Sequence, residues 1–570
     1  MKRTIRILYV LVAAVLVVAA IAVFQQAARI RAQREQEEAR RIAEENRTEE
    51  AYLAGWSGMV EIPCIVEEGA EAESVTLPRG TLLTVRVKPV ETEEGETYRL
   101  GFYEEKKLRL NDDMLVDDER FVVKESEGFV NLPTVLYEEA SGAAINGYLQ
   151  KRSHVNIIGF GSLLEDGSVD RYFVESDGKQ GYLRSKYLSP TLEEIVDNVD
   201  EVHFGREDLY GGGNAYTLEY PDLAKGDFAD NHMPKEVRCV YLNRACVQGI
   251  DAYIELANNS GINAFVLDIK ESDGPSYKSP VIQRYNPGAY EYGFSEFDEY
   301  KDAVRKCKEA GIYMIGRIVT FKDDFYATDH PENVLGYRDS DQSYKLQGSY
   351  WPSAFSREVW EYNVMLAIEG VEEMGFNEIQ FDYVRFPDHI FYHQDNIDFR
   401  NYENESMAQA INRFLLYARD EMHDRGKYIS ADVFGETSND YVCAYGQYWP
   451  MMSNIVDVMS AMPYPDHFAK NDYGIYPATW VHPGLLFQNW GYYVNERQAE
   501  TKNPANVRTW LQGYDTSKDP ATVYDVTKIN EQIDALYACG LNGGYMVWNA
   551  PSELWRYYAY ASAFVPRIEE

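Results

Sequence analysis

Residues Asn377–Asp388 read NEIQFDYVRFPD. Ile379, Phe381, Tyr383 and Phe386 give this run the apolar and aromatic content of a strand, and Pro387 stops the ladder because it has no backbone N–H to donate. The run predicts a buried strand ending in a carboxylate, Asp382, and a guanidinium, Arg385. In open α/β sheets and β/α barrels, chemistry collects at the C-terminal ends of strands. The competing reading is a structural Asp–Arg pair that closes a strand end.

Similar apolar runs flank this one at intervals, separated by amphipathic helical stretches. They are VRCVYLN from Val237, NAFVLDIK from Asn263, YMIGRIV from Tyr313, YISADVFG from Tyr428, VDVMSAMPY from Val456, NVRTWLQGY from Asn506 and GGYMVWN from Gly543. Helical spacing is clear in SEFDEYKDAVRKCKEAG after the second run and in SREVWEYNVMLAIEGVEEMG after the third. Eight strand–helix units over residues 234–566 predict a (β/α)8 TIM barrel with extended loops.

The strand ends concentrate chemistry on one rim. Asp268 and Lys270 close the second run, Arg317 the third, Asp382 and Arg385 the fourth, and Asp432 the fifth with Glu436 just beyond. Tyr464 and Asp466 close the sixth, Gln512 the seventh, and Trp548 and Asn549 the eighth. Several carboxylates on one rim are hard to explain by folding alone, because burying like charges is costly. Two carboxylates around an aromatic cleft suit glycoside hydrolysis, in which one protonates the leaving oxygen while the other attacks the anomeric carbon or activates water. Asp382 is the expected nucleophile or base. Asp432 is the leading acid candidate, with Glu436 and Asp268 behind it. Lys270, Arg317, Tyr383, Arg385, Tyr464, Asp466, Gln512, Trp548 and Asn549 are the expected substrate contacts. Trp548, Tyr464 and Tyr383 would form a sugar-stacking floor, or else pack between strand and loop.

Two other readings compete. His389 and His393, spaced i,i+4 and close to Asp388 and Asp395, could hold a divalent ion in a polysaccharide deacetylase, although no HExxH-type frame accompanies them. The rim could also capture a glycan without cutting it, since fold does not dictate activity. No cofactor is expected. Gly211, Gly212 and Gly213 stand outside any strand–helix context and read as a flexible turn, not a phosphate loop. The six cysteines contain no CxxC pair, and five fall in expected barrel elements, so no obligatory disulfide is predicted.

Upstream of the barrel the chain changes character. Ile7–Phe24 is an uncharged apolar run after Lys2, Arg3 and Arg6, long enough to span a bilayer. It predicts an uncleaved single-pass anchor at 7–24, with residues 1–6 cytoplasmic and the rest extracellular. Residues 25–56 read as a charged helical stalk with Glu37 and Arg41 at i,i+4. Short alternating strands predict two small β domains, 57–123 and 124–190, the second with a hairpin turn at Asp177, Gly178 and Lys179. A loop-rich connector fills 191–233. The formal net charge of -37 leaves no basic footprint for nucleic acid. Aromatic residues make up 14% of the chain, which suits stacking on sugars as well as packing.

Two resemblances add to this reading. Tyr172, Phe173, Val174, Gly181, Tyr182, Leu183 and Tyr187 resemble bacterial SH3-like domains, which implies a module that binds cell-wall peptides or glycans, or a spacer. The segments IQFDYVRFP, VLDIKESDG, GRIVTFKD and SADVFGE resemble the glycosyl hydrolase domain family of bacterial exported proteins, a barrel group akin to amylase-like and α-galactosidase-like hydrolases. That resemblance implies the barrel more firmly than the reaction. It carries the nucleophile role of the fourth-strand aspartate onto Asp382 only, and leaves Asp432 and Glu436 as rival acids. The expected fold class is thus multidomain: an N-terminal transmembrane helix, small all-β SH3-like barrels and a C-terminal TIM barrel. The expected function is hydrolysis of an extracellular polysaccharide, with the glycan, the cell wall and the membrane as partners.

Overall fold

The structure is a computed structural model of the 570-residue chain. It describes residues 26, 29–54, 59–66, 72–92, 97–117, 122, 127–164, 168–197, 199, 203 and 205–568. The expected membrane helix, Ile7–Phe24, lies outside the described residues. Among the described residues no helix is long and apolar enough to cross a membrane. The membrane helix in the expected fold class and the single-pass localisation are therefore corrected. The helix that is described, residues 29–45, is charged and exposed throughout. Its ion pairs are Arg31–Glu35 at 3.7 Å and Arg41–Glu38 at 3.6 Å, not the expected Glu37–Arg41.

The chain divides into two compact units. The first comprises residues up to 129 together with 154–191. Thr48–Leu53 is already a strand, antiparallel to Leu82–Arg86, which in turn pairs with Thr97–Tyr103. Ala51 and Leu53 alternate inward and join Ile62, Leu77, Leu83, Val85, Leu108 and Leu110 in a small core. His154–Leu163, Val169–Ser176 and Lys179–Arg184 form an antiparallel meander. Asp177 and Gly178 turn its second hairpin with φ of 49° and 77°, the left-handed pair that matches strand twist.

The second unit comprises residues 130–153 and 192–570. Its frame is eight parallel strands: β1 Val237–Leu242, β2 Ala264–Glu271, β3 Tyr313–Val319, β4 Glu378–Asp382, β5 Tyr428–Phe434, β6 Val458–Met462, β7 Thr509–Gln512 and β8 Gly544–Trp548. They are followed in turn by α1 Ile250–Asn258, α2 Phe297–Glu309, α3 Arg357–Glu369, α4 Met407–Asp424, α5 Trp449–Ile455, α6 Pro483–Glu500, α7 Val526–Ala538 and α8 Leu554–Tyr560. Strand order runs β6-β5-β4-β3-β2-β1-β8-β7. The ring nearly closes through a broken seventh strand, in which Asn506–Val507 pairs with β6 and Thr509–Gln512 pairs with β8.

Every residue of β1, β3 and β4 is buried. Burial on both faces is what a parallel strand with helices outside and a packed interior requires, and it explains runs that are apolar without alternation. Inward residues stack in layers. Val237, Cys239, Ala264, Val266, Tyr313, Ile315 and Met546 share one core cluster. Low in the interior, Arg508 Nη1 donates to Glu378 at 2.8 and 3.0 Å, and Tyr313 and Ser430 hydroxyls donate to the same carboxylate at 3.0 and 2.6 Å. This ion pair is fully buried and fully hydrogen-bonded on its acid side, the condition for tolerating such burial.

The connector is tied to the barrel floor. Asn231 Nδ2 donates to the carbonyls of Asn377 and Gly426, both at 2.9 Å, just ahead of β4 and β5. The triple glycine is a close-packing device, because a Cβ on Gly213 would lie 2.4 Å from Ser406, the N-cap of α4. A hairpin of Thr134–Tyr137 and Ile145–Leu149 belongs to this unit as well. Ile145 N donates to Glu361 on α3 at 2.6 Å, and Arg357 stacks 4.0 Å over the Tyr148 ring.

Candidate active site

The strand ends converge on one guanidinium. Arg317, near the end of β3, donates through Nη1 to Asp268 Oδ1 at 2.6 Å and to Glu271 Oε1 at 2.7 Å. Through Nη2 and Nε it donates to Asp382 Oδ2 at 2.6 and 3.1 Å. Its Nε also lies 4.0 Å from Asp432 Oδ2. One cation therefore faces four carboxyl groups.

Four like charges in so small a space repel one another, and burial with that repulsion shifts two of the groups toward their neutral forms. Burial pushes Asp268 up to about 7; Arg317 and a hydrogen bond from Tyr241 oppose the shift, and Glu271 adds to it. Burial, then the charge of Asp382, raises Asp432 well above the ordinary carboxylate range against the pull of Arg317 and a 2.8 Å hydrogen bond from Trp510 Nε1. Asp432 Oδ2 is buried without a hydrogen-bond partner. For Glu271, burial is outweighed by Arg317 and the Ser272 amide, which hold it below its usual value.

A β-bulge sets the composition of this cluster. Along β2 the residues Ala264, Val266 and Asp268 point inward, and strict alternation would send Lys270 inward too. The pairing with β3 instead places Asp268 opposite Arg317 and Lys270 opposite Ile318, two steps against one. The extra residue, Ile269, reverses the faces beyond it. Lys270 points outward, where Nζ pairs with Asp323 at 3.0 Å and lies 5.1 Å over the Tyr362 ring on α3. Glu271 takes the inward place.

The opening stretch also ends differently from expectation. β4 stops at Asp382, not at Phe386, because Tyr383 adopts a left-handed conformation with φ 50°. Its amide donates to Asp382 Oδ1 at 2.6 Å. The turn presents the Tyr383 ring, with Lys322 at 4.8 Å and Arg385 at 4.9 Å from its centroid. Arg385 has no salt bridge to Asp382; it stacks 4.2 Å over Phe434 and donates to the Phe386 carbonyl at 2.9 Å.

These groups line a cavity of about 500 Å³ together with Tyr241, Tyr464, Trp510 and Trp548. Of the residues expected from sequence, Asp382, Asp432, Arg317, Tyr383, Arg385, Tyr464 and Trp548 line it, and Asp268 lies directly behind through Arg317. Glu436 is elsewhere, exposed in the turn after β5, where Tyr441 and Tyr445 donate to it at 3.2 and 3.4 Å. Asp466 accepts from Tyr514 at 2.9 Å, Gln512 bridges Asp466 and Tyr514, and Asn549 donates to the Gly513 carbonyl. Those three brace loops. Lys270 is outside the barrel interior. Glu271, Tyr241 and Trp510 escaped the sequence reading, although the last two occupy inward positions of β1 and β7. His389 and His393 do not converge: His389 borders a neighbouring cavity, and His393 packs 6.2 Å from the Tyr344 ring. Among the described residues no three His, Cys, Asp or Glu side chains form a metal-binding group.

Residues 239–554, more than half of the chain, match the model of a family described as "Putative glycosyl hydrolase domain". The chain belongs to that family. Its domain runs from β1 to the start of α8 and so contains the whole carboxylate cluster. A hypothetical protein from Ruminiclostridium thermocellum ATCC 27405 is 31% identical over 34% of this chain and 97% of its own, with a TM-score of 0.29. The PgaB (BpsB) glycoside hydrolase domain from Bordetella bronchiseptica is 13% identical over 56% of this chain and 98% of its own, with a TM-score of 0.40. No curated protein matches the chain. At these TM-scores the family match carries the assignment.

Proposed function

We propose that this member of the glycosyl hydrolase domain family cuts a polysaccharide with Asp382 and Asp432 as its working carboxyl pair. The supporting observation is that one cavity holds a carboxylate charge-balanced by Arg317 beside a carboxyl whose burial and like-charged neighbour favour its protonated form and which has an oxygen without a partner. That contrast is what acid-assisted glycoside cleavage needs. Asp432 donates its proton to the glycosidic oxygen as the bond to the anomeric carbon breaks. Asp382 either attacks that carbon, giving a glycosyl ester that water then cleaves as the Asp432 carboxylate takes the water's proton, or it takes the proton from a water that attacks directly; on both routes the water oxygen ends on the sugar. Arg317 holds Asp382 in place and offsets its charge. The rings of Trp548, Tyr464 and Tyr383 bound the space in which a sugar would lie. The test is reducing-end release from a panel of soluble polysaccharides by wild type, Asp382→Asn and Asp432→Asn. Turnover by wild type that survives in Asp382→Asn overturns the assignment, and so does binding of a glycan without turnover.

A further inference from the structure

A second cavity, of about 790 Å³, adjoins the first. The two share Phe434, Met462 and His467 as common lining, so they meet along one wall. Glu436, which stands apart from the carboxylate cluster, belongs here. The lining is aromatic in a particular way. Phe468, Tyr473 and Tyr493 follow one another with ring centroids 5.8 and 5.6 Å apart, and Tyr493 and Tyr441 remain 44% and 41% exposed. Exposed rings beside a hydrogen-bonding carboxylate and an amide, here Glu436 and Asn439, match the two faces of a pyranose: C–H bonds to stack, hydroxyls to bond.

The backbone supports the same reading. Tyr473 and His389, both lining this cavity, have φ of 53° and 62°. Tyr383 in the first cavity shares that unusual conformation. Left-handed residues other than glycine are strained and persist only where the surrounding structure holds them, which is common at ligand sites. Asp388, Glu436 and Asp472 put three carboxylates on the walls against one lysine, Lys518. The chain as a whole carries a net charge of -37. Both features disfavour a polyanionic ligand.

We infer that the second cavity is a set of glycan subsites that takes the continuation of an uncharged sugar chain whose scissile bond lies in the first cavity. The enzyme would therefore cut within extended neutral chains and handle disaccharides poorly. This rests on the hydrolase reading for the first cavity but concerns binding alone.

The full chain carrying Asp382→Asn is titrated with cello-, xylo- and chito-oligosaccharides of two to six sugars, and with oligogalacturonates as the acidic arm. At least one neutral ladder is expected to bind tenfold or more tightly at four sugars than at two. Adding Tyr473→Ala and Tyr493→Ala should erase that gain and leave the disaccharide Kd within twofold. Tyr473→Phe with Tyr493→Phe should keep it, separating ring stacking from misfolding. Length-independent binding, a gain that survives the alanine pair, absence of binding by every neutral ladder, or tighter binding of the oligogalacturonates overturns the inference. Wild-type turnover, which this titration does not use, judges the hydrolase reading separately.

Discussion

Replacing Asp268 by asparagine isolates the electrostatics of the cluster. Asp268 is 1% exposed, and its carboxyl is pushed up to about 7 from an ordinary value of 3.8. An acid whose pKa is raised by folding binds its proton more tightly in the folded state, so stability falls as pH rises from the unfolded pKa to the folded one. At 1.36 kcal/mol per pH unit, the loss accumulates to about 4 kcal/mol between pH 4 and pH 7 and is complete above that window. Asparagine keeps the shape and cannot titrate. The variant should therefore gain about 4 kcal/mol relative to wild type between pH 4 and pH 8, whatever its constant offset. Urea unfolding of the full chain at both pH values, followed by tryptophan fluorescence, measures this difference. Parallel stability curves, with the gap between the proteins constant to within about 1 kcal/mol, would refute the account in which Asp268 holds a proton behind Arg317.

Asp432→Asn should lower turnover of a natural glycan by about 10²- to 10⁴-fold and turnover of a nitrophenyl glycoside far less, since a good leaving group needs no proton. Equal losses on both substrates would remove Asp432 from the acid role. The raised pKa of Asp432 should keep wild type active through neutral pH, with kcat/KM falling on the alkaline side as the proton leaves. Trp510→Phe, which deletes the hydrogen bond favouring the charged form, should move that limb to higher pH; a shift downward would contradict the geometry. Lys270→Met should leave KM unchanged while destabilising the barrel by about 3–5 kcal/mol, because Asp323 stays buried without its cation. A raised KM with an unchanged melting curve would return Lys270 to the cavity.

Most of the frame was legible in the sequence because a parallel strand buried on both faces writes itself as an apolar run. The starts of β1, β3 and β5 at Val237, Tyr313 and Tyr428 follow directly. The details of the site were legible only where alternation held. Asp268, Arg317 and Asp432 sit at inward positions that counting by two reaches. Lys270 and Glu271 exchange faces through one extra residue at Ile269, a change of register with no signature in composition. The strand assigned through to Phe386 ends at Asp382 because a left-handed tyrosine turns the chain, and tyrosine carries no turn signal as glycine or asparagine would. Glu436 and Asp432 are four residues apart in sequence and open on different cavities, a separation decided by the turn at Gly435–Ser438.

The pairing of β1 with β8 bears on how the protein acquires its shape. Val237 pairs with Gly544, so the first strand of the ring must wait for the last before its second edge is covered. During synthesis the nascent barrel therefore emerges with an open, apolar β1 edge that persists until residues 544–547 have left the ribosome. Such long-range parallel pairing is slow and prone to off-pathway association. Chains truncated before residue 544 should accumulate as aggregates, not as smaller folded barrels, and a chaperone that shields strand edges should matter most for this protein late in translation.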